Sequence, residues 1–232
     1  MREVVFDTET TGTDAAAGDR IVEIGAVELL NHIPTGRTYH AYLNPERAMS
    51  QGALAVHGLS DAFLADKPVF AAVADELLEF FGDARLVAHN AGFDMSFLNA
   101  ELSRIGAPQL DPSRALDTLT LARRKHPGAA NNLDALCARY GIDNSRRAKH
   151  GALLDAEILA EVYIELIGGK QTDLGLAITL DSAKRGDSAI MVPVAERKTP
   201  ASRLTDADRE AHLAFVATLG ANALWRDYLK DT

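Results

Sequence analysis

The chain has 232 residues, 47% hydrophobic and 25% charged, enough for one well-packed domain with residues to spare for a tail. That composition excludes a chain disordered throughout, and a lone cysteine, Cys137, excludes an internal disulfide. The net charge of −9 argues against a tight, unaided nucleic-acid binder, because such affinity comes largely from neutralising phosphates. Two readings remain: a protein unrelated to nucleic acid, or an acidic metal site whose substrate is delivered by a partner. The chain opens on a strand-like Val4-Val5-Phe6 rather than a leader, and no apolar run approaches the roughly 18 residues that span a bilayer. With one cysteine, a cytoplasmic protein without a membrane segment is expected.

Residues 2–9 read as a strand with Val5, Asp7 and Glu9 on one face and Val4 and Phe6 on the other. Residues 20–30 read as a second strand. A turn at Pro34-Thr35-Gly36 then leads into a third at 38–43. The spacing of Phe70, Val73, Leu77, Leu78 and Phe81 predicts a helix over 69–82. A short apolar strand follows at 85–89, then a helix at 94–105 ended by Gly106-Ala107-Pro108. A short strand at 114–117 and helices near 118–125, 132–140 and 153–167 complete an α/β layered domain. Periodicity is lost from 170 to 204, which reads as a linker. Thr205 caps a last helix near 206–218, with Asp206, Asp208 and Glu210 at its positive end, and Leu224-Trp225 follows in an apolar tail. The expected organisation is therefore a domain at 1–169, a linker at 170–204 and a helical tail at 205–232.

Four carboxylates carry the chemistry. Asp7 and Glu9 share a strand face near the carboxyl end, where α/β proteins favour ligand sites. Asp94 shares a helix face with Phe97, Leu98, Leu102 and Ile105. Asp155 lies on the face defined by Ile158, Leu159, Val162 and Leu166, with His150 five residues earlier. Inward carboxylates repel one another and are costly to bury unless paired or bound to metal. An all-oxygen set favours Mg²⁺ or Mn²⁺ over zinc.

Three segments carrying these residues resemble the motifs of the DEDDh exonucleases: Asp7-Thr8-Glu9-Thr10-Thr11-Gly12, His89-Asn90-Ala91-Gly92-Phe93-Asp94, and His150-Gly151-Ala152-Leu153-Leu154-Asp155. Val56-His57-Gly58-Leu59 and Asp117-Thr118-Leu119 look like secondary signatures of that family. The resemblance covers about residues 2–168, and three motifs in order and at the right spacing make it specific. It implies a ribonuclease H-like fold, a mixed sheet flanked by helices, and removal of nucleotides from the 3′ ends of DNA or RNA. It also implies two divalent metals held by Asp7, Glu9, Asp94 and Asp155, with His150 as general base. Thr10, His57, Asn90 and Phe93, together with Asp7, Glu9 and Asp155, would contact the terminal nucleotide.

Within the family the chain is most similar to proofreading subunits of bacterial replicative polymerases. Gln171-Thr172-Asp173-Leu174-Gly175-Leu176 resembles a sliding-clamp-binding motif, with Gln171, Leu174 and Leu176 as its anchors. Leu224 and Trp225 resemble the attachment to the polymerase catalytic subunit, Trp being a common interface anchor. The implied partners are a single-stranded or frayed DNA 3′ end, that polymerase and the clamp, with the chain a monomer within the larger complex. Met49-Ser50-Gln51-Gly52 lacks the acidic residue many relatives carry before the His57 motif, so no substrate contact is assigned there. The catalytic motifs address phosphate and metal rather than sugar, so an RNA-trimming ribonuclease remains an alternative. A non-catalytic structural subunit is a second, disfavoured by the presence of all five catalytic residues.

Overall fold

A computed structural model of the chain describes residues 1–145, 150–168 and 205–219. Its framework is a five-stranded sheet in the order β3-β2-β1-β4-β5. The strands are β1 (Arg2–Thr10), β2 (Ile21–Leu30), β3 (Ile33–Tyr42), β4 (Arg85–Ala88) and β5 (Ala115–Asp117). The first three form an antiparallel meander, and β4 and β5 add to β1 in parallel. The carboxyl ends of β1, β4 and β5 therefore emerge on one side, as a ligand site of this class requires.

Period-2 alternation along β1 sends side chains to two different cores. Val4 and Phe6 join Ile24, Ala26, Leu86 and Ala88 beneath α3 (Phe70–Phe81) and α4 (Ala91–Arg104). Val5 joins Val27, Leu29 and Val87 beneath Leu159, Ala160 and Tyr163 of α7 (Ala152–Leu166). A third apolar cluster ties α7 to α5 (Thr118–Lys125) and α6 (Leu133–Tyr140) through Ala122, Leu136, Cys137, Ile158 and Val162. Each fully buried aliphatic or aromatic side chain here contributes roughly 1.5–3 kcal/mol. Arg20, just before β2, holds buried Glu101 of α4 through two guanidinium bonds of 2.7 and 2.9 Å, fixing one end of α4 against the sheet.

The expected mixed sheet flanked by helices is observed, but several boundaries differ. Pro34-Thr35-Gly36 is not the turn between the second and third strands, because these residues lie inside β3. The reversal is made by Asn31 and His32, both at positive φ (50° and 64°), the geometry of a tight hairpin. Pro34 is tolerated because β3 is an edge strand. The helix expected at 94–105 begins three residues earlier, at Ala91, with Asn90 before it in the left-handed region (φ 68°). Two short helices without an apolar stripe, α1 (Gln51–His57) and α2 (Asp61–Leu64), were not anticipated. Each is started by a serine, Ser50 and Ser60, whose Oγ accepts a backbone N–H. The last helix, α8 (Asp206–Thr218), matches its expected bounds and carries a capping box between Thr205 and Asp208.

Candidate active site

The carboxyl end of β1 gathers side chains from both faces of the sheet. On the α7 face, ligand atoms of Glu9, His150 and Asp155 all lie within 4.8 Å of one another. His150 Nδ1 stands 3.3 Å from Asp155 Oδ2, with the imidazole half-exposed and Asp155 buried. Asp7 points to the same face as Glu9, two residues along the strand, and is partly exposed. The approach of α7 is set by Gly25, directly opposite Asp7 in the β1–β2 ladder. A Cβ on Gly25 would lie 2.1–2.3 Å from the backbone of Ala152 and Leu153, so the first turn of α7 rests on bare strand backbone. That contact carries Asp155 to the strand end.

Asp94 arrives from the other face. It lies in the first turn of α4, is buried, and accepts a 2.7 Å hydrogen bond from the Thr8 hydroxyl. Burial pushes its carboxyl up to about 7, against the opposing hydrogen bonds of Thr8 and the backbone, with negative Asp117 adding to the rise. In the absence of a cation this carboxyl is held in an environment that disfavours its charge. The donor set therefore suits divalent cations: oxygen-rich, largely buried, and closed on one side by a single imidazole. Glu9, Asp155 and His150 form the one such cluster found among the described residues. Asp7 adjoins Glu9 along the strand, and Asp94 reaches the same strand end through Thr8.

The remaining expected residues are placed as follows. Thr10 ends β1 just past a shift in ladder register, is buried, and donates its hydroxyl to the Gly12 carbonyl. His57 is the buried last residue of α1, and its Nδ1 accepts the Leu59 N–H at 3.0 Å. Asn90 is exposed, and its backbone N–H is held by Asp117 Oδ1 at 2.8 Å. Asp117 also caps α5 through Leu119 N, so it supports the loop rather than joining the cluster. Phe93 is partly exposed against Phe97, ring centroids 4.8 Å apart. Gln171, Leu174, Leu176, Leu224 and Trp225 lie outside the described residues.

Sequence reasoning missed Thr8 and Gly25. The signal for Gly25 was available, since a glycine inside a strand often marks a close backbone approach. Thr8 gave none, because its partner is 86 residues away.

A profile of the RNase_T family, described as Exonuclease, matches residues 4–163. The chain is 54% identical over 175 residues to the DNA polymerase III subunit epsilon of Rickettsia felis, covering 74% of this chain and 76% of that one. With the subunit of the same name from Escherichia coli K12 it shares 44% identity over 240 residues, 97% of each chain. Among solved structures, exonuclease X in complex with 5′-overhanging duplex DNA superposes with a TM-score of 0.56 at 27% identity, over 71% of this chain and 90% of that one. The nuclease domain of 3′hExo, a DEDDh family member bound to rAMP, gives 0.62 at 17% identity, over 72% and 91%, a likeness of fold.

Proposed function

The chain belongs to the exonuclease (RNase_T) family, and from that premise we propose that it is the 3′→5′ proofreading exonuclease of a polymerase III-type replicase. Hydrolysis of DNA from the 3′ end is its reaction, and members of the family depend on divalent metal. The observation that carries the reading to particular residues is the convergence of Glu9, His150 and Asp155 at the end of β1. Mg²⁺ or Mn²⁺, two per site, fits the donors, with Asp7, Glu9, Asp94 and Asp155 as ligands. When bound, the cations neutralise the carboxylates and offset charge that develops on the attacking and leaving oxygens.

The chain's own residues supply position and proton transfer. His150 is half-exposed at the mouth of the cluster, beside Asp155, and takes the proton from the attacking water. Asp155 orients that imidazole. Thr8 fixes Asp94 in one rotamer, so the far wall is set before substrate arrives. Thr10, His57, Asn90 and Phe93 bind the terminal nucleotide. A mismatched end unpairs at lower cost and reaches this site more often, which gives selectivity without reading sequence.

The acidic balance of the chain is consistent with substrate delivered by partners. These are the polymerase catalytic subunit, through the segment with Leu224 and Trp225, and a sliding clamp, through Gln171, Leu174 and Leu176, in the cytoplasm. No described helix is long and apolar enough to cross a membrane.

The test is degradation of 5′-labelled single-stranded DNA and RNA with Mg²⁺. A DNA ladder abolished by EDTA and by His150→Ala, with nucleotide still bound by the variant, is expected. Exclusive RNA trimming would reject the proofreading role, and near-normal turnover by His150→Ala would reject the assigned base.

A further inference from the structure

A cavity opens at the carboxyl ends of β4 and β5. Its volume is about 590 Å³, and it is lined by His89, Leu119, Arg123, Gly128, Ala129, Asn131 and Asn132. That volume falls within the roughly 300–1,000 Å³ of small-ligand sites. His89 immediately precedes Asn90, and Leu119 and Arg123 are one turn apart on α5, whose cap Asp117 also holds the Asn90 N–H. The cavity is thus tied to the active-site loop through its backbone.

Its polar groups are not used up by the fold. Asn131 is 8% exposed, and its Nδ2 donates to the carbonyls of His126 and Ala129. Its Oδ1, however, is sealed from solvent with no hydrogen-bond partner, a costly state for a buried acceptor. Arg123 has no hydrogen-bond or ion-pair partner among the described residues, and its side chain is exposed at the rim. His89 is held at Nδ1 by Thr118 Oγ1 at 2.9 Å, and burial lowers its pKa, so the cation of this cavity is Arg123. Arg124 and Lys125 follow on the same helix, a basic run in a chain of net charge −9.

We propose that this cavity binds a nucleotide of the substrate strand on the 5′ side of the scissile bond, with Arg123 on its phosphate. The chemistry matches: a planar guanidinium for a phosphodiester, and Leu119 as an apolar wall for a ring. The sheet order places β4 and β5 beyond β1, so a strand whose terminal residue sits at the end of β1 can continue over them. The inference rests on the exonuclease reading, and its test is separable from it.

The experiment measures equilibrium binding of a 5′-fluorescent oligothymidylate to the full chain in Ca²⁺, which requires no turnover. Arg123→Gln is expected to weaken binding about tenfold, the scale of one charge-assisted hydrogen bond. It should also reduce the slope of log Kd against log salt by about 0.7, the value for one phosphate contact on a single strand. One neutral methylphosphonate, moved along the strand, should weaken the wild type at a single internal position and leave Arg123→Gln no worse there. Arg123→Lys should restore part of the affinity.

Unchanged affinity in Arg123→Gln, or penalties that simply add at every position, would overturn the proposal. Hydrolysis of the p-nitrophenyl ester of thymidine monophosphate, which has no upstream nucleotide, tests the exonuclease reading alone. Preferential loss of kcat/KM on the oligonucleotide over the ester in Arg123→Gln supports the subsite. An equal loss on both would assign Arg123 to the structure of the active site and sink the proposal.

Discussion

Thr8 and Asp94, 86 residues apart, are joined by a buried 2.7 Å hydrogen bond that ties the central strand to α4. Thr8→Val keeps the shape and removes the donor, leaving a buried carboxyl with one partner fewer. A loss of about ten- to a hundredfold in kcat/KM is expected, the scale of a hydrogen bond to a charged group. Thr8→Ser should recover most of it. Steady-state kinetics on single-stranded DNA, with circular dichroism to show that both variants fold, makes the check.

Gly25 is expected to be intolerant of a single methyl group. Gly25→Ala would set a Cβ 2.1–2.3 Å from backbone atoms of Ala152 and Leu153, which no flexible side chain can relieve. The first turn of α7 must move, and with it Asp155. A destabilisation of about 1–3 kcal/mol or more in urea unfolding is expected. Activity should fall further than the folded fraction alone explains. Unchanged activity in a fully folded Gly25→Ala protein would mean that this contact does not position the helix.

The elevated carboxyl of Asp94 gives a pH signature in metal-free protein. Its folded pKa, pushed up to about 7 by burial, lies above the ordinary value of 3.8. Protonation is therefore favoured by folding. The resulting stabilisation is fully present below the unfolded pKa and is lost as pH rises through about 7. The Tm of the metal-free wild type, relative to Asp94→Asn, should thus decline as pH rises from 3.8 to about 7 and level off above it. Saturating Mg²⁺ should flatten the decline. A difference that is level with pH in EDTA would contradict the assignment.

Tyr163 provides the opposite case, a buried polar contact remote from the chemistry. Its hydroxyl donates at 2.6 Å to Glu3 Oε1, and Glu3 is fully buried. Burial raises the phenol pKa, and Glu3 adds to the rise, so the hydroxyl remains a donor at neutral pH. Tyr163→Phe is expected to cost roughly 1.5–3 kcal/mol in urea unfolding, the worth of a hydrogen bond to a charged group. Its kcat at 25 °C should stay within about twofold of the wild type. A large fall in kcat would show that α7 transmits changes from its middle to its first turn.

Much of this site was readable because strand and helix periods act locally. Alternation along residues 2–9 alone separates Val4 and Phe6 from Val5, Asp7 and Glu9, and the structure keeps that division between the two cores. Asp94 and Asp155 stood out for sharing a face with apolar neighbours at i+3 and i+4, and both are buried. What was missed depends on distant or one-sided information. The serine-capped α1 and α2 have no apolar stripe to betray them. The hairpin turn rests on Asn31 and His32, and a histidine at positive φ is a poor turn signal beside Pro34-Thr35-Gly36. The bond from Thr8 to Asp94 requires knowing which helix covers which face.

The two-sided use of β1 sets how this chain can diverge. Loops and surface helices can lengthen without touching the chemistry. The nine residues from Arg2 to Thr10 cannot gain or lose one. A one-residue insertion ahead of Asp7 would rotate every following side chain to the opposite face, sending Glu9 toward α4 and Thr8 toward α7. Hydrophobic registry and ligand geometry would fail together, so relatives should vary in this segment by substitution and not by length.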